Sequence, residues 1–224
     1  MRIDHLTRLS VENELNFTFP DPHNNDPYGA FAYGGDLRVP RIIAAYKQGI
    51  FPWFDFDYAM PVWYCPMTRF VIVPSKIHVS HSMRNLMNRG TYRVTFDTDF
   101  DDVIRGCAFV NDRIKCKGAW LGERVITVYT HLFRRGIVHS VEVWNNETGQ
   151  LAGGLYGGYT GRCFMGESMF SLEPNTSKLA LITLARRLEA LGDTIIDCQE
   201  PNAHLISMGG QNMDYDTYLT YLEQ

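Results

Sequence analysis

The spacing of apolar and polar positions changes character near residue 66. Before it, short apolar stretches are broken by Pro, Asn, Asp and Gly. DPHNNDPYG (Asp21 to Gly29) reads as loop, and only PRIIAAYKQG (Pro40 to Gly49) has helical spacing, with Pro in its first turn and Gly just past its end. After Pro66, strand and helix patterns alternate. TRFVIVP predicts a strand, SHSMRNLMNR a helix, YRVTFD a strand and DFDDVIRGCA a short helix. Glu123 to Arg135 places Val125, Val128, Tyr129, Leu132 and Phe133 on one helical face that stops at Gly136. VHSVEVW, a turn at NNETG, QLAGGLYGG and RCFMGESMF predict three consecutive antiparallel strands. NTSKLALITLARRLEALG predicts a long helix with Thr176 or Ser177 as N-cap, Leu181, Leu184, Leu188 and Leu191 at helical spacing, and Gly192 as terminator. TIIDCQ predicts a short strand buried on its Ile195 and Ile196 side. Hairpins followed by a long helix and a further strand predict an α+β domain over residues 67–224, preceded by a small loop-rich N-terminal α/β domain over residues 1–66.

Composition narrows the class. Of 224 residues, 45 % are hydrophobic and 21 % charged, enough apolar side chain for a sizeable core and too much for disorder. No apolar run approaches the roughly 20 residues that cross a bilayer. Arg2, Asp4, His5 and Arg8 stand where a signal peptide needs its apolar stretch, so a soluble cytoplasmic protein without membrane association is expected. Five cysteines (Cys65, Cys107, Cys116, Cys163, Cys198) show no CxxC spacing and read as buried free thiols. The closest histidines, His78 and His81, lack a carboxylate or cysteine at usable spacing, so no metal is expected. Charge is uneven: Arg84 to Arg135 holds ten Lys/Arg against six Asp/Glu, and Met165 to Gln224 three against nine. That is ordinary surface variation, or one face for a polyanion and another for a cation.

Two stretches place polar groups among apolar ones. Glu167 in GESMF is flanked by Phe164, Met165, Met169 and Phe170, and a carboxylate there needs a partner or a raised pKa. In IIDCQEPN, Asp197 and Gln199 project to the same face, because side chains two apart in a strand share a side. All three suit hydrogen-bonded core-rim residues as well as chemistry. GIFPWF (Gly49 to Phe54) reads as a turn displaying Phe51, Trp53 and Phe54, and KGAWLGE displays Trp120 between glycines; both suit stacking on a nucleobase or a lid over the core. The glycine-rich GGLYGGYTG lies inside strands, not at a strand-to-helix turn, so it is not a phosphate cradle. No GxSxG, HExxH or HxE/PCxxC motif occurs.

GGDL, AYKQGIFPWF, WYCP, SMRNLMNRGTYRVT, AWLGERV, HSVEVW, GGLYG, CFMGESMF, NTSKLAL and IDCQEPNAH, in this order, resemble the bacterial leucyl/phenylalanyl-tRNA–protein transferases almost end to end. The resemblance implies an enzyme that moves Leu, Phe or Met from its tRNA to the α-amino group of proteins beginning with Arg or Lys, marking them for N-end rule degradation. It implies a catalytic domain similar to the acyl-CoA N-acyltransferase (GNAT) fold, working as a monomer without a cofactor. SLEPNTSK lacks the RxxGxG pyrophosphate loop of coenzyme A users, which weighs against the competing reading as a coenzyme A-dependent N-acyltransferase. A second competing reading is a non-catalytic receptor for basic N-termini.

By the same resemblance, Trp53 and Trp120 would take the terminal adenosine of the aminoacyl-tRNA. Leu155, Phe164, Ser168, Met169, Leu184 and Ile196 would form the amino-acid pocket, and Glu167, Asp197 and Gln199 the catalytic group. Leu155 and Leu184 stand where another member carries Met and Phe. Arg84 and Arg89 would meet tRNA, on a helix that is densely basic in many relatives and carries His81, Asn85 and Asn88 here. Weaker tRNA binding with a smaller salt slope is expected.

Overall fold

The apolar stretches before residue 66 pair into a sheet of their own. In the computed structural model, which describes residues 6–10, 17–25, 29–55, 60–110, 122–192 and 194–223, four short strands are present: β1 (Thr7–Leu9), β2 (Ala30–Gly34), β3 (Phe51–Asp55) and β4 (Met60–Tyr64). They form a sheet in the order β1-β2-β4-β3. Between β2 and β3 lies α1 (Val39–Tyr46), with Pro40 in its first turn. GIFPWF is therefore not a turn. Only its first residue takes part in a reversal, at Gly49 with φ of 65°, where the Ile50 N–H bonds back to the Ala45 carbonyl at 2.9 Å. The remainder pairs with β4, Trp53 opposite Val62. Three- to five-residue strands leave too few positions for their alternation to be read in sequence.

The patterns after Pro66 form as expected. β5 (Thr68–Ile72), β6 (Tyr92–Phe96), β7 (Val138–Asn145), β8 (Leu151–Thr160), β9 (Cys163–Ser171), β10 (Ile195–Asp197) and β11 (Gln211–Asp214) build one sheet, ordered β11-β5-β10-β9-β8-β7-β6. All its pairs are antiparallel except β9 with β10. That parallel pair is short. Ile195 to Asp197 match Cys163 to Met165, and β9 then runs on through Ser171 without a further partner in β10. The two strands part at this point and leave an opening in mid-sheet.

Helices cover both faces. α3 (Phe100–Phe109), α4 (Glu123–Arg134), α7 (Tyr215–Leu222) and α1 pack on one, through Ile42, Val103, Tyr129 and Tyr218. α2 (His81–Asn88), α5 (Thr176–Glu189) and α6 (Ala203–Ser207) pack on the other, through Met83, Leu184 and Leu205. Strand alternation feeds both layers: Val71 belongs to the first, Phe70 and Ile72 to the second. Phe31, Ala32 and Trp63 of the four-stranded sheet lie in the first core with α3, α4 and α7. The small sheet is thus held against the large one by shared apolar burial.

Two details of α5 differ from expectation. Neither Thr176 nor Ser177 is its cap: Asn175, at φ of 69°, holds that position without a side-chain bond. Thr176 Oγ1 instead donates to the Ala152 and Glu173 carbonyls, and the Ser177 N–H donates to Ser171 Oγ. Arriving directly from β9, the chain finds its partners in β8, at the end of β9 and in the turn after it. Leu191 lies past the helix end and is 69 % exposed.

The glycines of β8 serve close approach. A Cβ on Gly157 would stand 2.2 Å from the Met165 carbonyl oxygen, beside a bulge in the β8–β9 register, and one on Gly158 would stand 2.6 Å from the Tyr46 ring. Gly158→Ala is expected to lower stability by about 1–3 kcal/mol through overpacking. The check is the chemical denaturation midpoint; an unshifted midpoint would mean that the Tyr46 ring gives way freely.

Candidate active site

The opening between β9 and β10 is the mouth of a cavity of about 280 Å³. Leu155, Phe164, Met169, Leu181, Leu184, Ile196 and Leu205 form its apolar wall. β8 and β9 contribute the first three, α5 the two leucines one turn apart, β10 and α6 the last two. Every pocket residue expected from the sequence lies here, Ser168 included. Phe51, Pro52 and Trp53 of β3 line one side, with Trp53 37 % exposed at the edge and its ring against Tyr64 at 5.3 Å. An apolar slot beside an accessible indole accepts a branched or aromatic side chain attached to a flat ring.

Glu167 lies at the inner end, buried. Tyr46, from the end of α1, donates its hydroxyl to Glu167 Oε1, and the Tyr129 hydroxyl of α4 interacts with the same carboxyl electrostatically. Burial pushes the carboxyl pKa up to about 7, and the two phenols work against that rise. A carboxyl so placed divides between its two forms near neutral pH and is suited to proton exchange. The same burial and the neighbouring carboxylate keep both phenols protonated, their pKa well above the ordinary value.

Asp197 and Gln199 do not share a face. β10 ends at Asp197, and Gln199 has φ of 65°, so the two-residue alternation is broken between them. Gln199 lines the cavity, and Asp197 is fully buried behind it. Asp197 Oδ1 accepts the backbone N–H of Gln199 at 2.8 Å; Oδ2 accepts from Arg69 and from the Tyr218 hydroxyl, the latter at 2.8 Å. The Gln199 carbonyl accepts from the Phe70 N–H at 3.2 Å. These contacts hold a left-handed backbone that costs roughly 1–3 kcal/mol in a residue with a side chain.

Arg69 is the hub. Wholly buried on β5, it donates to Asp197 and, at 2.9 Å, to the Gly49 carbonyl just before β3. Its guanidinium lies over the Phe51 ring at 5.2 Å and the Tyr218 ring at 4.7 Å. Burial opposes its charge, yet Asp197 beside it holds its pKa above the ordinary value. One side chain thus ties the strand bearing Trp53 to the turn bearing Gln199. Arg69 is not among the residues expected from the sequence, although a lone arginine inside the apolar TRFVIVP is a signal, since a charge in a covered strand needs a partner. Nothing in the sequence marks Tyr46 or Tyr129 as partners of Glu167, more than 30 residues distant along the chain.

Of the remaining candidates, Trp120 lies outside the described residues, as does Cys116. Arg84 and Arg89 are exposed on and just after α2, away from the cavity wall. Cys65, Cys107 and Cys163 are buried. Cys198 lines the cavity, and burial raises its thiol pKa far above neutrality, so it is no nucleophile at neutral pH. Among the described residues no three His, Cys, Asp or Glu side chains gather as metal ligands, and no helix is long and apolar enough to cross a membrane.

Residues 71–223 match the family described as leucyl/phenylalanyl-tRNA protein transferase, and residues 35–67 match the N-terminal domain of the same family. The chain is 45 % identical over 210 residues to a leucyl/phenylalanyl-tRNA–protein transferase of Pseudomonas fluorescens, covering 94 % of this chain and 91 % of that one. It is 42 % identical over 226 residues to the protein of that name from Pectobacterium carotovorum, covering 100 % and 91 %. Among solved structures, a tandem GNAT protein from the clavulanic acid biosynthesis pathway superposes with a TM-score of 0.39 at 12 % identity, covering 83 % of this chain and 62 % of that one.

Proposed function

The chain belongs to the leucyl/phenylalanyl-tRNA–protein transferase family, aminoacyltransferases that carry an amino acid from tRNA to protein, and on that premise we propose that the cavity between β9 and β10 receives the aminoacyl end of the tRNA. The observation that carries this reading is the apolar slot with Trp53 at its edge and Gln199 and Glu167 on its walls. The Leu, Phe or Met side chain enters the slot, and the terminal adenosine stacks on Trp53, with Trp120 as its second platform. The sheet is read as GNAT-like, the parting of the parallel β9/β10 pair being the place where an acyl group enters. Strands ending at Tyr64 and resuming at Thr68 support a division into residues 1–66 and 67–224. Arg84 and Arg89 take tRNA phosphates. The acceptor is a protein with N-terminal Arg or Lys, tagged for N-end rule degradation in the cytoplasm by a monomeric enzyme that needs no cofactor.

The chemistry asked of the protein is modest. The acceptor's α-amino group has a pKa near 7.7–8.0, so an appreciable neutral fraction exists at neutral pH. Holding that amine about 3 Å from the ester carbonyl draws on the roughly 7–11 kcal/mol available from proximity. The Gln199 amide oxygen accepts an amine N–H and orients the attack. Asp197 acts through Gln199 by fixing its backbone, and is a positioning residue. As the C–N bond forms and the ester C–O bond breaks, the amine gives up a proton and the tRNA ribose oxygen regains one; Glu167, with its pKa about 7, exchanges protons in that range.

Purified protein, labelled Phe-tRNA or Leu-tRNA and an Arg-starting peptide test the proposal: label is expected in the peptide, and label that stays on tRNA refutes it. Trp53→Ala is expected to weaken binding of an aminoacyl-adenosine analogue by about 1–3 kcal/mol without a fall in melting temperature, because an edge indole supplies stacking and little core. Unchanged affinity with a much lower melting temperature would make it a lid over the core.

A further inference from the structure

Two carboxylates line the cavity among the described residues, and their settings differ. Glu167 is buried and held by Tyr46 and Tyr129. Glu200 is exposed at the mouth, immediately after Gln199. No ion pair of the described residues engages it. Its backbone is nevertheless fixed: its N–H bonds to the Cys198 carbonyl at 2.8 Å, Gln199 before it is left-handed, and Pro201 after it restricts it to extended conformations. A solvent-facing carboxylate on a rigid turn, next in sequence to the amide that faces the slot, is a ready counter-ion for a cation arriving there.

We infer that Glu200 reads the cationic side chain of the acceptor's first residue. This deepens the reading above and rests on it. An α-amine brought to Gln199 carries its own side chain on the adjoining carbon, and Arg and Lys side chains are long enough to reach back to the neighbouring residue while the amine stays in place. A guanidinium meets a carboxylate through two parallel N–H···O bonds, whereas an ammonium meets it as a point charge. Arg acceptors are therefore favoured over Lys. Glu167 serves this purpose poorly, because it is buried with Tyr46 already donating to Oε1 and its charge is partly neutralised near pH 7.

The test compares peptides starting with Arg or with citrulline, its neutral isostere, as acceptors for labelled Phe-tRNA. Wild-type enzyme is expected to prefer Arg in kcat/KM, and Glu200→Gln to cut that preference by about threefold to tenfold, the range between an exposed ion pair and a charge-assisted hydrogen bond. Glu200→Lys should cut it further, the loss residing in the peptide KM. A wild-type preference that survives both substitutions overturns this inference alone. Wild-type enzyme that transfers Phe equally well to both peptides overturns it together with the proposed acceptor. A lower KM for Phe-tRNA in Glu200→Gln, with the Arg preference intact, assigns the carboxylate to repelling tRNA phosphates and likewise overturns it.

Discussion

Asp197→Ala is expected to destabilise the fold by about 3–5 kcal/mol, the usual consequence of stranding a buried charge. At roughly 2–4 °C per kcal/mol for a chain of this size, the melting temperature falls by about 10 °C. The cause is local. Arg69 and Asp197 are both inaccessible, and removing the carboxylate leaves a guanidinium with the Gly49 carbonyl and two rings, and no counter-charge. Arg69→Met combined with Asp197→Leu separates the loss of attraction from the stranding: without either ion, most of the lost stability should return. Asp197→Ala melting within about 2 °C of wild type would show that solvent reaches the pair. Below its melting temperature, the single variant should lose turnover more than affinity for aminoacyl-adenosine, because the Gln199 N–H has lost its acceptor and the left-handed turn relaxes.

Glu167→Gln should change how stability depends on pH. In the native state the Glu167 carboxyl has its pKa raised from 4.5 to about 7. Below pH 4.5 it is protonated whether the chain is folded or not, and its environment costs nothing on that account. As pH rises from 4.5 to 7, the unfolded chain releases the proton and the folded chain retains it, so wild-type stability falls, by up to about 3 kcal/mol. Glutamine has no proton to release there. Wild type minus variant, measured by denaturant melts across this interval, should show that decline and then flatten above pH 7. A difference that does not vary with pH would mean that the carboxyl titrates normally. In the transfer reaction the ionised form accepts the amine proton, so wild-type activity should rise through pH 7. The variant should follow only the later titration of the acceptor amine, near 7.7–8.0.

Both effects depend on residues that the sequence displays unequally. The three-stranded run from Val138 to Ser171 and the long helix after it follow from alternation and helical spacing; that Leu155, Phe164, Leu184 and Ile196 share one slot came from the family resemblance, because periodicity marks a side chain as buried and not as the wall of a cavity. Glu167 was legible as a carboxylate in need of a partner, for the same reason of burial. Its partners were not, because Tyr46 and Tyr129 come from helices that meet the carboxyl only through tertiary packing.

Asp197 and Gln199 mark the boundary most clearly. Strand periodicity puts them side by side, and that inference requires the strand to continue. What ends it is the left-handed backbone at Gln199, held by Phe70 and by Asp197 itself, whose carboxylate is in turn held by Arg69 from a strand 128 residues earlier. A local pattern reports which side chains avoid water. Which buried charges find each other, and hence which of two neighbouring polar residues faces the slot and which stands behind it, depends on contacts between distant segments, and only the assembled sheet decides that.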